Sequence, residues 1–404
     1  MKILMINQAF YPDVAATAQH GHDLARYLTS KGHQVTAIAS PSLYGESGAS
    51  LPRRETVDGI DIRRVGVSYF GKTGMLARVV DYLYFYVVAA LLALRLPRHD
   101  VVICFTTPPF IAIMGVMLRL FKGTKVVYWV MDLFPELPIA CGMMREGSAP
   151  SWLMERVSRF CLRHSDMNVV LGRCMEERIL AKGIPPEQVR QIGVWSDQEA
   201  IQPIPREDNE YRAKWGVEDR LVVMYSGNFG LGHDVDTFLN AALALKDDDR
   251  IRFAFIGGGK KKGIVEAFIS EHGLERNCIL EPFQPRSKLD ELLSAGDVHL
   301  ISLLDGIQGV MIPCKLFGIL AVGRPALFIG NPASEVSRVI EENRCGRTIT
   351  LGDSTELVEA ITTYERDPGE RRAAGERARR AFMDQHSMEH RCRAWLELLE
   401  QVAN

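Results

Sequence analysis

Between residues 222 and 237 the chain reads VVMYSGNFGLGHDVDT, an apolar strand that runs into Gly227, Gly230 and Gly232 and then into a helix. Glycine can take positive φ and lets a ligand approach the backbone, so such a turn can aim successive N–H groups at an anion beside a positive helix end. The spacing is G-x-x-G-x-G and not the G-x-G-x-x-G of dinucleotide sites. Two readings follow: an anion site at a helix N-terminus, or glycines that only tighten a βα turn. His233 lies inside the same turn. A second candidate stands where parallel sheets carry ligand groups: Asp132 closes the apolar strand KVVYWVMD at its carboxyl end, either facing a ligand or capping the DLFPELP segment. Lys260, Lys261 and Lys262 follow a triple glycine and read first as a solvated charge cluster, with Lys261 the one that could reach an anion. Metal chemistry is not expected. His20 and His22 are two apart and face different sides of a helix, while His386 and His390 share a face without the glutamate of HExxH.

The elements that must position these residues alternate strictly. KILMINQAF reads as a strand, ATAQHGHDLARYLTSKGH as a helix and HQVTAIAS as a strand, a βαβ start. After a polar loop around residues 44–56 come IDIRRV, an apolar helix from Leu76 to Leu96, and then VVICFT, KVVYWVMD and MNVVLG with helices between them. The pattern restarts with LVVMYSG, RFAFIGGG, CILEPF, VHLISL and PALFIG beyond a proline-containing stretch at 202–205. Short apolar strands without polar alternation predict parallel sheets covered on both faces. A helical stretch from 369 to 402 ends the chain.

A chain of 404 residues, 47% of them hydrophobic, has material for two full cores. The formal charge is −2, yet residues 1–200 hold 22 Lys+Arg against 18 Asp+Glu, and residues 50–130 hold eleven against five. That local excess, interleaved with apolar residues, favours a membrane surface or an anionic ligand. Eight cysteines without a CxxC pair fit reduced core thiols, so a cytosolic protein is expected, and the N-terminal apolar run is too short for a signal peptide. Between Asp81 and Arg95 lie thirteen uncharged residues, short of the ~20 needed to span a bilayer. Residues 76–98, with Leu83, Tyr84 and Phe85 flanked by Arg78, Arg95 and Arg98, could instead lie in the membrane interface or form a buried core helix.

In their order the motifs resemble the GT-B glycosyltransferases, family 4 in particular, over nearly the whole chain. NQAFYPDVAATAQHGHDLARYLTSKGHQVTAIAS is similar to that family's opening strand and acceptor-side loop, VVMYSGNFG to its second-domain opening, and FAFIGGG to the next strand and glycine turn. ILEPFQPRSKLDELLSAGDVHLISL resembles the nucleotide-base strand with the helix after it, and GVMIPCKLFGILAVGRPALFIG the diphosphate and ribose helix. YWVMDLFPELPIACG, IGVWSD and GNFGLGHD give a narrower likeness to bacterial transferases of O-antigen and colanic acid assembly, the L-fucosamine transferases among them.

The resemblance implies an α/β GT-B chain: an acceptor-binding Rossmann-like domain at 1–200, a nucleotide-sugar-binding one at 201–380 facing it across a cleft, and a helix at 381–404 packing back across the junction. It implies a retaining enzyme that uses a UDP-sugar, an N-acetylated amino or deoxy-amino sugar being expected. The implied acceptor is a saccharide on polyprenyl diphosphate at the inner face of the cell membrane, with no metal, no other cofactor and no nucleic acid. Residue by residue, Asp132 and Lys315 take the catalytic positions, Lys315 as a phosphate contact or else a plain helix-surface lysine. Gly227, Asn228 and Lys261 take the donor's diphosphate, and His233 either that phosphate or the acceptor. Phe283 and Gln284 border the uracil, Gln308, Gly309, Ile312 and Pro313 open the diphosphate helix, and Ala16, Thr17 and Glu136 meet the acceptor. Three departures stand out. Asn228 and His233 occupy the loop where the family often has Arg and Lys, Ala15 and Ala16 replace its first glycine pair, and Lys315 stands where the second Glu of E-x7-E belongs, with Ile307 eight residues before it. Lysine has no acceptor for ribose hydroxyls but can contact phosphate. A UDP-sugar epimerase of the same architecture and a non-catalytic glycosyltransferase-like subunit are the competing expectations. A nicotinamide enzyme would need G-x-G-x-x-G after the first strand, where this chain has NQAFYPDVAATA.

Overall fold

The structure, a computed structural model, describes residues 1–43, 51–66 and 75–404, the side chains of 75–79 excepted. Most of the polar loop at 44–56 and the side chains of Leu76 and Arg78 therefore lie outside the described residues. The chain divides into two compact units, Met1–Gly193 with Cys392–Asn404, and Val194–Arg391.

The first unit is built on eight strands: β1 (Lys2–Ile6), β2 (Gln34–Ala39), β3 (Arg54–Val57), β4 (Ile60–Arg64), β5 (Val101–Cys104), β6 (Lys125–Val130), β7 (Met167–Val170) and β8 (Val189–Gln191). They lie in the order β3-β4-β2-β1-β5-β6-β7-β8, with β1 paired in parallel to both β2 and β5. Every residue of β5 is buried, and so are all but the first of β1 and β6. Side chains alternate between the faces of a strand, so such runs require cover on both sides, as the apolar pattern predicts. The exception to parallel pairing is the β3–β4 hairpin, which the sequence reading did not resolve. Asp58 and Gly59 join its strands with φ of 51° and 78°, the pair of positive angles that a two-residue I′ turn demands.

The helices of this unit are α1 (Ala16–Ser30), α2 (Met75–Arg95), α3 (Ala112–Lys122), α4 (Glu136–Ala140), α5 (Ala149–His164) and α6 (Arg173–Ala181). α2 packs beside α3, and α3 beside α5. Phe85 is 1% exposed whereas Leu83 is 60% exposed, so α2 has a core face and a solvent face, and Phe85 belongs to the core. Residues 392–404 add Trp395, fully buried with its ring 4.5 Å from that of Trp129.

The second unit carries β9 (Leu221–Asn228), β10 (Ile251–Gly258), β11 (Cys278–Glu281), β12 (Val298–Ser302), β13 (Ala326–Ile329) and β14 (Gly346–Ile349), parallel throughout in the order β11-β10-β9-β12-β13-β14. Its helices are α7 (Glu210–Trp215), α8 (Asp236–Ala244), α9 (Lys262–His272), α10 (Leu289–Ala295), α11 (Lys315–Ala321), α12 (Glu335–Asn343), α13 (Ser354–Arg366), α14 (Pro368–Ala381) and α15 (Met388–Ala403), the last running on into the first unit. The core is aromatic at its centre: the Phe238 ring lies 5.1 Å from Tyr225 and 5.3 Å from Phe255. Two backbones meet where α14 crosses the turn after α11. A Cβ on Gly375 would stand 2.2 Å from the Gly323 carbonyl oxygen, so no larger residue fits there. The terminal stretch is helical from 369 to 402 as expected, with one break. Ser387 is extended and bridges Ser196, and the Met388 amide donates to the Ser196 carbonyl at 3.0 Å, which interrupts the helical ladder between α14 and α15.

In both units the direction in which successive strands are added to the sheet reverses beside a central strand, at β1/β5 and at β9/β12, although the strands there stay parallel. Parallel sheets bind ligands beyond the carboxyl ends of their strands at such points.

Candidate functional site

The glycine turn leaves β9 at that switch point. Of its three glycines only Gly227 takes a positive φ, 135°. Gly232 is needed for a different reason, since a Cβ there would lie 2.7 Å from Ile307. At the N-terminus of α8, where the sequence suggested an anion, the Asp234 carboxylate accepts from the Thr237 amide at 3.1 Å and so sets a negative group at that helix end. What the turn presents is its own backbone and whatever approaches Gly227.

Lys315 approaches it. This residue opens α11, yet its side chain runs back to the end of β9, where a Cβ on Gly227 would lie 3.4 Å from Nζ. Nζ rests 3.6 Å from the centroid of the Tyr225 ring, a cation–π contact. It is buried, and no hydrogen-bond acceptor reaches it among the described residues. Burial without a counter-charge penalises the ammonium, and its pKa falls from the ordinary 10.5 to about 7. An anion at the Gly227 turn would supply the missing partner once the flexible lysine stem rotates toward it.

His233 and Lys261 flank the same turn but are committed within the protein. The Lys261 amine donates to the His233 carbonyl at 2.5 Å. The His233 Nδ1–H donates to the Ser302 carbonyl at 2.5 Å, which leaves Nε2 as a lone pair. Burial, and then the nearby Lys315 ammonium, push its pKa down to about 3, so the ring is neutral and Nε2 accepts hydrogen bonds and does not donate them. A direct His233 donor to phosphate is therefore disfavoured, and hydroxyl binding suits its chemistry.

Asn228 is exposed at the tip of β9. Phe283, in the loop after β11, is 62% exposed, and a Cβ on Gly258 would lie 3.0 Å from its ring, which leaves an open aromatic face at the sheet's carboxyl edge. Gln284 is turned away: its amide oxygen accepts from the Tyr211 hydroxyl at 3.0 Å and its nitrogen donates to the Pro282 carbonyl at 3.0 Å. Gln308 accepts from the Gly306 amide at 2.9 Å. Gly309, Ile312 and Pro313 precede α11 and do not open it, because the helix starts at Lys315. Pro313 has no N–H and so is not the helix-end donor envisaged from the sequence, while Ile312 is buried just before it.

In the first unit Asp132 lies just beyond β6, half-buried, and does not cap a helix, the N-cap of α4 being Pro135. Burial raises its carboxyl to a pKa of about 6, while the neighbouring Thr106 hydroxyl pulls the other way. Sequence reasoning missed two residues on this edge, Thr106 after β5 and Asn7 after β1. The Asn7 amide nitrogen donates to the Ala9 carbonyl at 2.6 Å, which fixes Oδ1 as a buried acceptor with no donor among the described residues. Asking which polar residue follows each parallel strand, as was asked for Asp132, would have found both. Ala16 and Thr17 form the first turn of α1, exposed and half-buried respectively. Glu136 begins α4, but its carboxylate is held 2.5 Å from the buried amine of Lys182, which also pairs with Glu155. It is thus a fastener of α4 as well as an acceptor candidate.

The chain matches the family model of the glycosyl transferase 4-like domain over residues 16–195 and that of glycosyl transferases group 1 over residues 207–381. It is 30% identical over 270 residues to the probable glycosyltransferase WbjE of Pseudomonas aeruginosa, 66% of either chain. It is 25% identical over 352 residues to the putative colanic acid biosynthesis glycosyl transferase WcaI of Escherichia coli K12, 84% of this chain and 86% of that one. In fold it is similar to Anabaena HepE solved with UDP-glucose (TM-score 0.75, 15% identity, 99% of this chain and 100% of that one). A similar likeness holds to WaaG, a glycosyltransferase involved in lipopolysaccharide biosynthesis (TM-score 0.71, 17% identity, 97% and 98%). With two matched domains over most of its length, two parallel-sheet Rossmann-like units and an unpartnered lysine at the second unit's phosphate-type turn, the chain belongs to the family 4 glycosyltransferases of GT-B fold.

Proposed function

We propose that this enzyme transfers a sugar, an N-acetylated amino or deoxy-amino sugar, from a UDP-sugar to a saccharide on polyprenyl diphosphate, with retention of anomeric configuration, in cell-surface polysaccharide biosynthesis. The observation that carries the donor half is the buried Lys315 amine beside Gly227, with no acidic partner among the described residues. Structural relatives that hold UDP or UDP-glucose support the nucleotide, and WbjE and WcaI support the polysaccharide setting. The bond from the anomeric carbon to the β-phosphate oxygen breaks, the acceptor oxygen bonds to that carbon on the same face, and the acceptor's proton passes to the departing phosphate. Negative charge grows on the β-phosphate, so the Lys315 ammonium and the amides of the Gly227 turn act most strongly in the transition state. Asp132 orients the acceptor hydroxyl, and Phe283 offers its open face to the base. No metal enters this scheme. The apolar, basic stretch 76–98 holds the enzyme at the inner membrane face, close to its lipid-linked acceptor. Among the described residues no helix is long and apolar enough to cross a membrane.

The test is a panel of UDP-sugars with and without a short polyprenyl-diphosphate saccharide. Transfer that requires the acceptor, with the product's anomeric configuration unchanged by NMR, is expected. Epimerised donor in the acceptor's absence would overturn transfer in favour of an epimerase. Asp132→Asn should lower kcat by roughly a hundredfold while leaving the Kd for UDP unchanged; equal losses in both would remove its acceptor role.

A further inference from the structure

Single apolar side chains on a surface need no explanation, but more than half of the large ones exposed in the described chain stand on just three helices, α2, α3 and α5. These helices adjoin in that order. On α2, Val80, Leu83, Tyr84, Val87 and Leu91 recur at the spacing of one helix face. On α3, Leu120 and Phe121 (74% exposed) close the helix, and α5 adds Trp152 (59% exposed), Leu153 and Phe160.

The exposed charge on these helices, among the described residues, is basic, Arg119 being also paired with Asp166 at 3.7 Å. Arg95 and Arg98 at the end of α2, Arg119 on α3, and Arg156, Arg159 and Arg163 on α5 are exposed. The acidic residues described on the same helices, Asp81 and Glu155, are half-buried, and Glu155 is held by Arg159 and Lys182. The Arg156 guanidinium lies 5.2 Å from the Trp152 ring, so cation and aromatic share one spot. Arginine stems with aromatic and aliphatic neighbours suit a surface that is anionic outside and apolar beneath, with Trp and Tyr at the headgroup level. A second copy of this chain fits worse, because a two-fold contact would set these arginines against themselves.

We propose that the whole α2–α3–α5 layer, and not α2 alone, docks on an anionic bilayer, with Phe121 and Trp152 entering the headgroup–acyl boundary and the arginines meeting lipid phosphates. This rests on the membrane reading of residues 76–98 and widens it from one helix to a platform, which fixes the orientation of the first unit as well as its attachment.

The experiment is co-sedimentation of the full chain with phosphatidylglycerol–phosphatidylethanolamine vesicles and with pure phosphatidylcholine vesicles. Wild type should bind the anionic vesicles selectively. Phe121→Ser with Trp152→Ser should weaken that binding by roughly tenfold or more, and Arg156→Glu with Arg163→Glu should do the same, both with Tm unchanged because every altered side chain is exposed. Undiminished binding by both variants, with loss only for Leu83→Ser and Val87→Ser, would overturn the platform. So would a wild-type chain that ignores vesicles and forms a dimer dissociated by Trp152→Ser. UDP binding is read by calorimetry on the same samples, so a chain that docks but does not bind UDP upholds the platform while overturning the donor reading.

Discussion

At the scale of residues, the Lys315 amine is held between an aromatic ring and a glycine, with no carboxylate partner among the described residues. Its pKa near 7 sets the sign of two effects. Below pH 7 the free protein carries the ammonium; above it, the neutral amine. A bound diphosphate favours the charged form, so binding takes up a proton, and affinity for UDP should fall by up to about tenfold per pH unit above pH 7 until the pKa of the bound lysine is reached. Calorimetry from pH 7 to 9 stays above the second ionisation of a terminal phosphate, at about 6. Lys315→Met should bind UDP weakly with a flat profile, and pH-independent affinity in the wild type would remove the lysine from the site. His233, at about 3, stays neutral throughout and contributes no slope. The folded lysine holds fewer protons than the unfolded one between pH 7 and 10.5. The stability cost is therefore present in full below pH 7 and fades as pH rises toward 10.5, and Lys315→Met should melt higher than wild type at pH 7. The glycine turn was legible in the sequence because strand, glycines and helix are contiguous. The meeting of Lys315 with Gly227 was not, since no local period links residues on different elements, and only the resemblance pointed there. Asn7 and Thr106 escaped because a lone polar residue after an apolar strand looks like any loop residue until the sheet order is known.

At the scale of elements, α2 shows where pattern reading stops. A run apolar on every side has no polar face to orient it, so the helix was legible but its buried side was not. Phe85 faces the core and Leu83 faces solvent, which splits a pair the sequence treated alike. Leu83→Asp should leave Tm within about 1 °C, whereas Phe85→Asp should prevent folding or lower Tm by more than about 10 °C, because it buries a charge without a partner. Circular dichroism on the two variants decides; equal Tm values would put Phe85 at the surface. The residue 392–404 segment yields a parallel expectation. Trp395→Ala, which empties the space against Trp129, should cost about 3–5 kcal/mol in urea unfolding. The break at Ser387 was illegible because it is caused by a backbone partner distant in sequence, Ser196.

At the scale of the molecule, two doubly wound sheets were legible from the strict alternation of short buried strands and helices. Only the edge hairpin of β3 and β4 departs from that rule, and its Asp-Gly turn carried the signal. The two units differ in what they offer a ligand. The second has the unpaired cation, and the first has acceptor groups and a basic, apolar outer layer. UDP should therefore stabilise the chain through the second unit. At a hundred times Kd the gain is about 2.7 kcal/mol, a rise of roughly 5–10 °C in the transition that reports Val194–Arg391. Scanning calorimetry with and without UDP measures it. The rise should vanish in Lys315→Met at the same concentration, and its absence from the wild type would count against a nucleotide site in this unit.

The contact between Gly375 and the Gly323 carbonyl reaches further than packing. A single methyl at 375 would lift α14 from the turn that ends α11, and α11 carries Lys315 at its other end. Through that helix the proposed lysine anchor depends on a hydrogen atom standing as the side chain at residue 375, on a different element. A mutational scan of the terminal region should find that site as intolerant as any residue of the proposed donor site.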